Sequence, residues 1–140
     1  MTRRNREAGS LLIEFAGSLI VLSTLFADIF QVGYAFYAYE NLVNAVRAGA
    51  RYASLSSGSA AAGPALETSV RNLVVFGETK PSAVATPIVA GLRPENVELI
   101  VGPGVATVSI RGFVIDSLFA KVRLDERPTV SFPLAKRGTQ

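Results

Sequence analysis

Glu14 stands where a charge needs a chemical reason. It is the sole ionisable residue in the eighteen from Ser10 to Ala27, a run otherwise suited to lipid. By insertion scales an acid at mid-membrane costs roughly 2.5–3.5 kcal/mol, so an acid in such a segment is a functional hypothesis by default. Were the chain cut between Gly9 and Ser10, the new amino group of Ser10 would lie four residues before Glu14, one helical turn away. An α-amine has a pKa of about 8 and is largely charged at neutral pH. Pairing it with Glu14, in the same chain or a neighbour, lowers the cost of placing either charge in an apolar setting. The plainer alternative is an acid at headgroup level, favoured there by the helix dipole.

Other chemistries find little support. The chain has no His and no Cys. That excludes disulfides and thiolate or imidazole metal sites, and it removes the commonest general base. Ser117 and Lys121 form a Ser–Lys pair, but with one residue too many for the S-x-x-K spacing. Asp116, Asp125 and Glu126 lack a metal-loop spacing, and no phosphate-binding Gly-Lys loop occurs. The expectation is a protein that is not an enzyme and has no cofactor or metal. The sequence pI of about 9.6 does not indicate nucleic acid. The net charge is +3, and residues 1–9 hold three Arg and one Glu, so the remainder carries only +1. No basic stripe with interleaved aromatics is left.

These residues need an element to hold them. Eighteen apolar residues suffice for a transmembrane helix. From Glu14 to Asp28 such a helix rises about 21 Å, so the two acids fall near opposite edges of a hydrocarbon layer of about 30 Å. Asp28 either marks that outer edge or meets a partner subunit. Phe30, Tyr34, Phe36, Tyr37 and Tyr39 fall at the outer interface, where amphipathic rings prefer to sit. Arg3, Arg4 and Arg6 precede the span and no further Arg occurs until Arg47, which predicts a cytoplasmic N-terminus. An ordinary secretory signal would need small residues in A-x-A spacing soon after Ala27, and none follow closely.

No Pro occurs before Pro64, so the helix can continue beyond the membrane. From Tyr39 it becomes amphipathic. Leu42, Val46, Gly49 and Ala53 share one stripe, and Glu40, Asn44, Arg47 and Arg51 share another. Ala45, Gly49 and Ala53 are small residues at four-residue spacing. They admit close packing, either of a neighbouring helix or of the chain's own remaining residues. Arg47 and Arg51 suit a solvated face, a neighbour's acidic patch or lipid headgroups.

Ser54 to Gly63 reads as a small-residue linker. A second helix is expected from Pro64 to a stop at Gly77, with Leu66, Val70, Leu73 and Val74 on one face. Residues 78–94 read as an irregular connection. The period then changes to two, with a hairpin from Val97–Val101 to Ala106–Ile110 about the turn Gly102-Pro103-Gly104. Residues 116–124 suit a short helix or a bulged strand. Thr129 to Phe132 reads as a last strand, ended by Pro133. The expected class is α+β, a long transmembrane and amphipathic N-terminal helix followed by a small head with a short helix and a small antiparallel sheet.

Two stretches carry a family resemblance. Gly9-Ser10-Leu11-Leu12-Ile13-Glu14-Phe15 resembles the class III signal of type IV pilins, in which cleavage follows Gly and Glu stands fifth in the mature chain. The Glu14-Phe15 pair is similar to the tight-adherence (Tad) form of that motif. Tyr34–Tyr39 and Asn44–Ala53 look like the helix that follows the signal in TadE-like pseudopilins. The resemblance implies a basic leader, residues 1–9, removed by a prepilin peptidase at Gly9–Ser10. It implies a long helix over residues 10–56, transmembrane in its first part, and an extracytoplasmic α+β head over residues 57–140. The implied role is that of a minor, non-catalytic pseudopilin in Flp-type pilus assembly and adhesion. Its implied place is the bacterial inner membrane, single-pass, with other pilins and Tad assembly-platform proteins as partners. From another class, the same layout suits an uncleaved membrane-anchored binding module whose helix is only a tether.

Overall fold

The computed structural model describes residues 3–56, 63–116 and 121–134, with side chains from Gly9 onward. Helix α1 runs Arg3–Ser56 and helix α2 Pro64–Phe76. A 3-10 turn, Pro94–Asn96, leads into strands β1 (Val97–Gly102) and β2 (Val105–Ile110). Strands β3 (Phe113–Asp116), β4 (Lys121–Leu124) and β5 (Thr129–Pro133) follow. The fold is α+β, as the alternation of periods predicts. The chain divides into two units, Met1–Tyr34 and Ala35–Gln140, so the boundary lies within α1.

The described residues of the first unit, from Arg3, are helix alone. The unit has no Pro, and its Ala, Leu and Ile content supports a continuous α-helix. Between Gly9 and Tyr34 no residue is buried. The most apolar eighteen-residue window of α1 has a mean hydropathy of 1.9 and no buried residue. Length and composition therefore suit a membrane span, and the lack of burial separates this segment from the core helix of a soluble protein.

The second unit has one interior. α1 contributes Ala38, Leu42, Ala45, Val46, Ala50 and Ala53 to it, and α2 contributes Leu66, Val70, Val74 and Val75. α2 begins on Pro64, whose missing N–H costs nothing in a first turn, and ends on Gly77. Gly77 adopts φ 78°, and its N–H donates to the Leu73 carbonyl at 2.9 Å, a left-handed cap that suits Gly. Val89 and Leu92 are buried from within the irregular connection, and the Ile88 N–H donates to the Val75 carbonyl at 2.8 Å.

The main sheet has the order β1-β2-β5, antiparallel throughout. Along β1 and β2, Val97 lies opposite Ile110, Leu99 opposite Val108 and Val101 opposite Ala106; on the other side of β2, Val108 lies opposite Val130 and Ala106 opposite Phe132. The turn between β1 and β2 falls at Pro103-Gly104, as the spacing predicts.

The expected single small sheet is in fact two. β3 and β4 pair antiparallel as a separate hairpin, Phe113 opposite Leu124 and Ile115 opposite Val122. Of residues 116–124, Asp116 ends β3 and Lys121–Leu124 form β4, while 117–120 lie outside the described residues. The chain leaves the first sheet at Arg111 and Gly112. There the Arg111 N–H donates to the Asn96 carbonyl at 2.8 Å, and Asn96 Nδ2 donates to the Arg111 carbonyl at 3.1 Å. Gly112, at φ 61°, then redirects the chain into β3, whose Phe113 and Ile115 enter the same interior.

Candidate functional site

The acid of the apolar segment sits on the outward surface of a bare helix. Glu14 and Phe15 are both exposed, as is Ser10, and Gly9 is partly so. Gly9 and Ser10 lie inside α1, and a side chain at Gly9 would meet no atom within 4 Å. Gly17 and Ser18 follow Glu14 one turn on, and Val21, Leu22 and Leu25 continue that face into a shallow groove. The small pair beside the acid is a feature that motif reading passed over; its signal is two residues with little side chain directly after Glu14-Phe15-Ala16. The nearby Thr24 hydroxyl donates to the Ile20 carbonyl at 2.9 Å, so it is satisfied within the helix, as apolar surroundings require. Asp28 is exposed, one further acid along the same unit.

The small-residue stripe falls in the second unit and is covered there. Ala45, Gly49 and Ala53 are all buried. A Cβ placed on Gly49 would lie 2.5 Å from Cγ2 of Val74 and 3.5 Å from Cγ1 of Val70. α2 therefore approaches α1 at Gly49 as only a residue without a side chain permits. This is close packing on the chain's own head, so these three residues are not free to receive a neighbouring helix.

Arg47 and Arg51 point away from that interior and are exposed, with Glu40 and Asn44 on the same face. Of the other acids and bases, Asp116, Glu126 and Lys121 form surface ion pairs on the sheets. Arg111 Nε lies 2.8 Å from Glu98 Oε2, and its Nη2 lies 3.1 Å from Glu126 Oε1. Lys121 pairs with Asp116 at 3.8 Å across the β3–β4 hairpin, while Ser117 lies outside the described residues. Among the described residues no three Asp or Glu gather as a metal site.

What this arrangement offers is an apolar helix with one acid near its start, continuous in sequence with a helical face that a small domain packs against. Residues 9–51 match the model of the TadE-like protein family. This stretch is TadE-like. The TadE-like stretch begins at Gly9, takes in Glu14 and Phe15, and runs through Ala45 and Gly49 to Arg51. It thus joins the exposed segment of the first unit to most of the α1 face that the second unit buries. α2 and both sheets lie beyond it. No curated protein and no solved structure matches the chain.

Proposed function

We propose that this chain is a minor pseudopilin of a Tad/Flp-type pilus assembly system, acting in pilus biogenesis and adhesion, with biofilm formation as the downstream trait. The observation that carries the reading is the TadE-like match over residues 9–51, which opens on the Gly-Ser pair and contains the acid in the apolar run. A prepilin peptidase cuts Gly9–Ser10 and removes residues 1–9 with their three arginines. The freed amine then lies one turn from Glu14, about 6 Å along the axis, and offsets its charge. Before assembly the apolar helix rests in the inner membrane, the N-terminus cytoplasmic and the head outside. During assembly the same surface exchanges lipid for the helices of other pilins and pseudopilins and for Tad platform proteins. Chemistry at the head is not part of this role, and neither a cofactor nor nucleic acid enters it.

Mass spectrometry of the protein from its native membrane tests this directly. The expected chain begins at Ser10, and Gly9→Ala retains residues 1–9. Glu14→Ala is expected to be processed yet to abolish pilus formation. Material that keeps its leader beside an active peptidase would overturn the pseudopilin reading and leave the membrane-tethered binding module in its place.

A further inference from the structure

β1 departs from the pattern of the sheet it edges. An antiparallel sheet with one covered face alternates apolar inward and polar outward. β1 instead carries Ile100 on the outward face, 51% exposed, and Val101 on the inward face, 50% exposed. Burial fades along the strand. Val97 is buried, Glu98 and Leu99 are half-buried, and the two residues that follow are open. The far part of β1 is thus apolar on both faces and covered on neither.

Its backbone is open as well. The Arg111 N–H donates to the Asn96 carbonyl, one step before the first β1–β2 pair. That bond sets the phase of the ladder. Glu98, Ile100 and Gly102 bond β2, while Leu99 and Val101 turn their N–H and C=O groups to the free edge. Among the described residues these groups have no backbone partner. The other strands are guarded. β5 follows Pro128 and ends on Pro133, β3 and β4 have four residues each, and β4 carries Lys121 and Arg123. Short strands, prolines and charges are the usual defences of an exposed edge. β1 has six residues, no Pro and one charge, Glu98.

What covers such a strand must meet its edge and both its faces at once. A lipid surface or a helix laid on one face leaves the other face and the edge as they were. A second β1 meets all three. Turned antiparallel about a two-fold axis at Ile100, it sets Ile100 opposite Ile100 on the outward face. Leu99 falls opposite Val101 on the inward face, with backbone hydrogen bonds at each such pair. Glu98 falls opposite Gly102, which has no side chain to crowd it, and keeps Arg111 of its own chain at 2.8 Å. No like charges are set opposite each other.

We propose that β1 is a contact between two copies of this chain, paired antiparallel edge to edge through Leu99, Ile100 and Val101, so that their main sheets become one. The same patch serves both copies, so the contact closes as a two-fold dimer. It lies wholly in the second unit and does not depend on a cut at Gly9–Ser10.

The chain has no Cys, so a single introduced Cys reports its own surroundings. Directly opposed residues of a non-hydrogen-bonded antiparallel pair have Cα atoms about 4.5 Å apart, within the span of a disulfide. In full-length protein in its native membrane, mild oxidation of Ile100→Cys is expected to give covalent dimer. The expected yield is about ten times that of Val84→Cys, a site 86% exposed and away from the contact, because pairing raises the local thiol concentration. Adding Val101→Pro removes an outward N–H and leaves the β1–β2 ladder intact. It is expected to lower the Ile100→Cys yield about tenfold, and adding Val101→Lys to do the same by placing a charge at the edge. Thermal melting verifies that each variant head is folded. An Ile100→Cys yield no higher than that of Val84→Cys would overturn the contact, as would a yield that both Val101 changes leave unaltered in folded heads. A disulfide to a different polypeptide in place of the dimer would also overturn self-pairing and assign the edge to that other strand.

Discussion

The two parts of α1 are both rich in apolar residues, yet they make opposite use of them. From Gly9 to Tyr34 large side chains such as Leu11, Ile13, Phe15, Ile20 and Phe26 are distributed around the helix and all are exposed. From Ala38 to Ala53 a stripe of smaller apolar residues, Ala38, Leu42, Ala45, Val46, Ala50 and Ala53, is buried, while Glu40, Asn44, Arg47 and Arg51 take the other face. The contrast separates apolarity from core formation. A helix apolar on all sides asks for a surrounding solvent of the same kind, whereas a helix apolar on one stripe asks for a single partner surface. α2 supplies that surface, and Gly49 lets it come close.

The comparison can be broken most sharply by placing an acid in each part. Val46→Asp puts an unpaired carboxylate at a fully buried position. It is expected to destabilise the second unit by roughly 4 kcal/mol or more, enough to abolish its cooperative thermal transition. Val21→Asp should leave that transition in place and instead lower the membrane-inserted fraction, at a cost of roughly 2.5–3.5 kcal/mol. A head that melts normally with Val46→Asp would show that α1 is not part of its core.

Glycines sharpen the same contrast with a smaller effect and a change of sign. Gly49→Ala forces its Cβ onto a stiff Val74 side chain, an overpacking cost of about 1–3 kcal/mol that opposes a helix gain of up to about 1 kcal/mol. Gly33→Ala meets no atom within 4 Å, so only the helix gain remains. Thermal unfolding should therefore shift down for Gly49→Ala, with no loss for Gly33→Ala. The smallest effect belongs to the surface. Arg111→Gln removes two exposed pairs, to Glu98 and Glu126, each worth roughly 0.2–1 kcal/mol. Its cost should shrink as salt is raised, measured by denaturant unfolding at two ionic strengths.

Much of this was readable from residue order, for stated reasons. The stripe Leu42, Val46, Gly49, Ala53 repeats over enough turns to define a face. Pro64 and Gly77 mark the ends of α2 by their backbone chemistry, and Pro103-Gly104 marks the turn of β1 and β2. The second sheet was not readable. β3 and β4 have four residues each, too few to establish a period of two, and the exit at Arg111-Gly112 depends on hydrogen bonds to Asn96, fifteen residues away or more. Nor does local sequence place β5 beside β2, since that pairing reaches across the β3–β4 hairpin. At the candidate site, Glu14 stood out because a charge among hydrocarbons is conspicuous. Gly17 and Ser18 did not, because small residues are ordinary until a helix sets them beside an acid. The sequence admits two destinations for Ala45, Gly49 and Ala53, and only the position of α2 distinguishes them.

The bond between Gly9 and Ser10 is wound into α1, its amide plane committed to the hydrogen-bond ladder of a helix. Proteases bind their substrates stretched out, so the cleavage proposed above requires the first turns to fray. Glycine loosens a helix by about 1 kcal/mol relative to alanine, and this one has no neighbour to hold it. The leader's release would then be timed by the unwinding of a few residues at the membrane face, and a variant that stiffens that turn should mature more slowly even with the acid untouched.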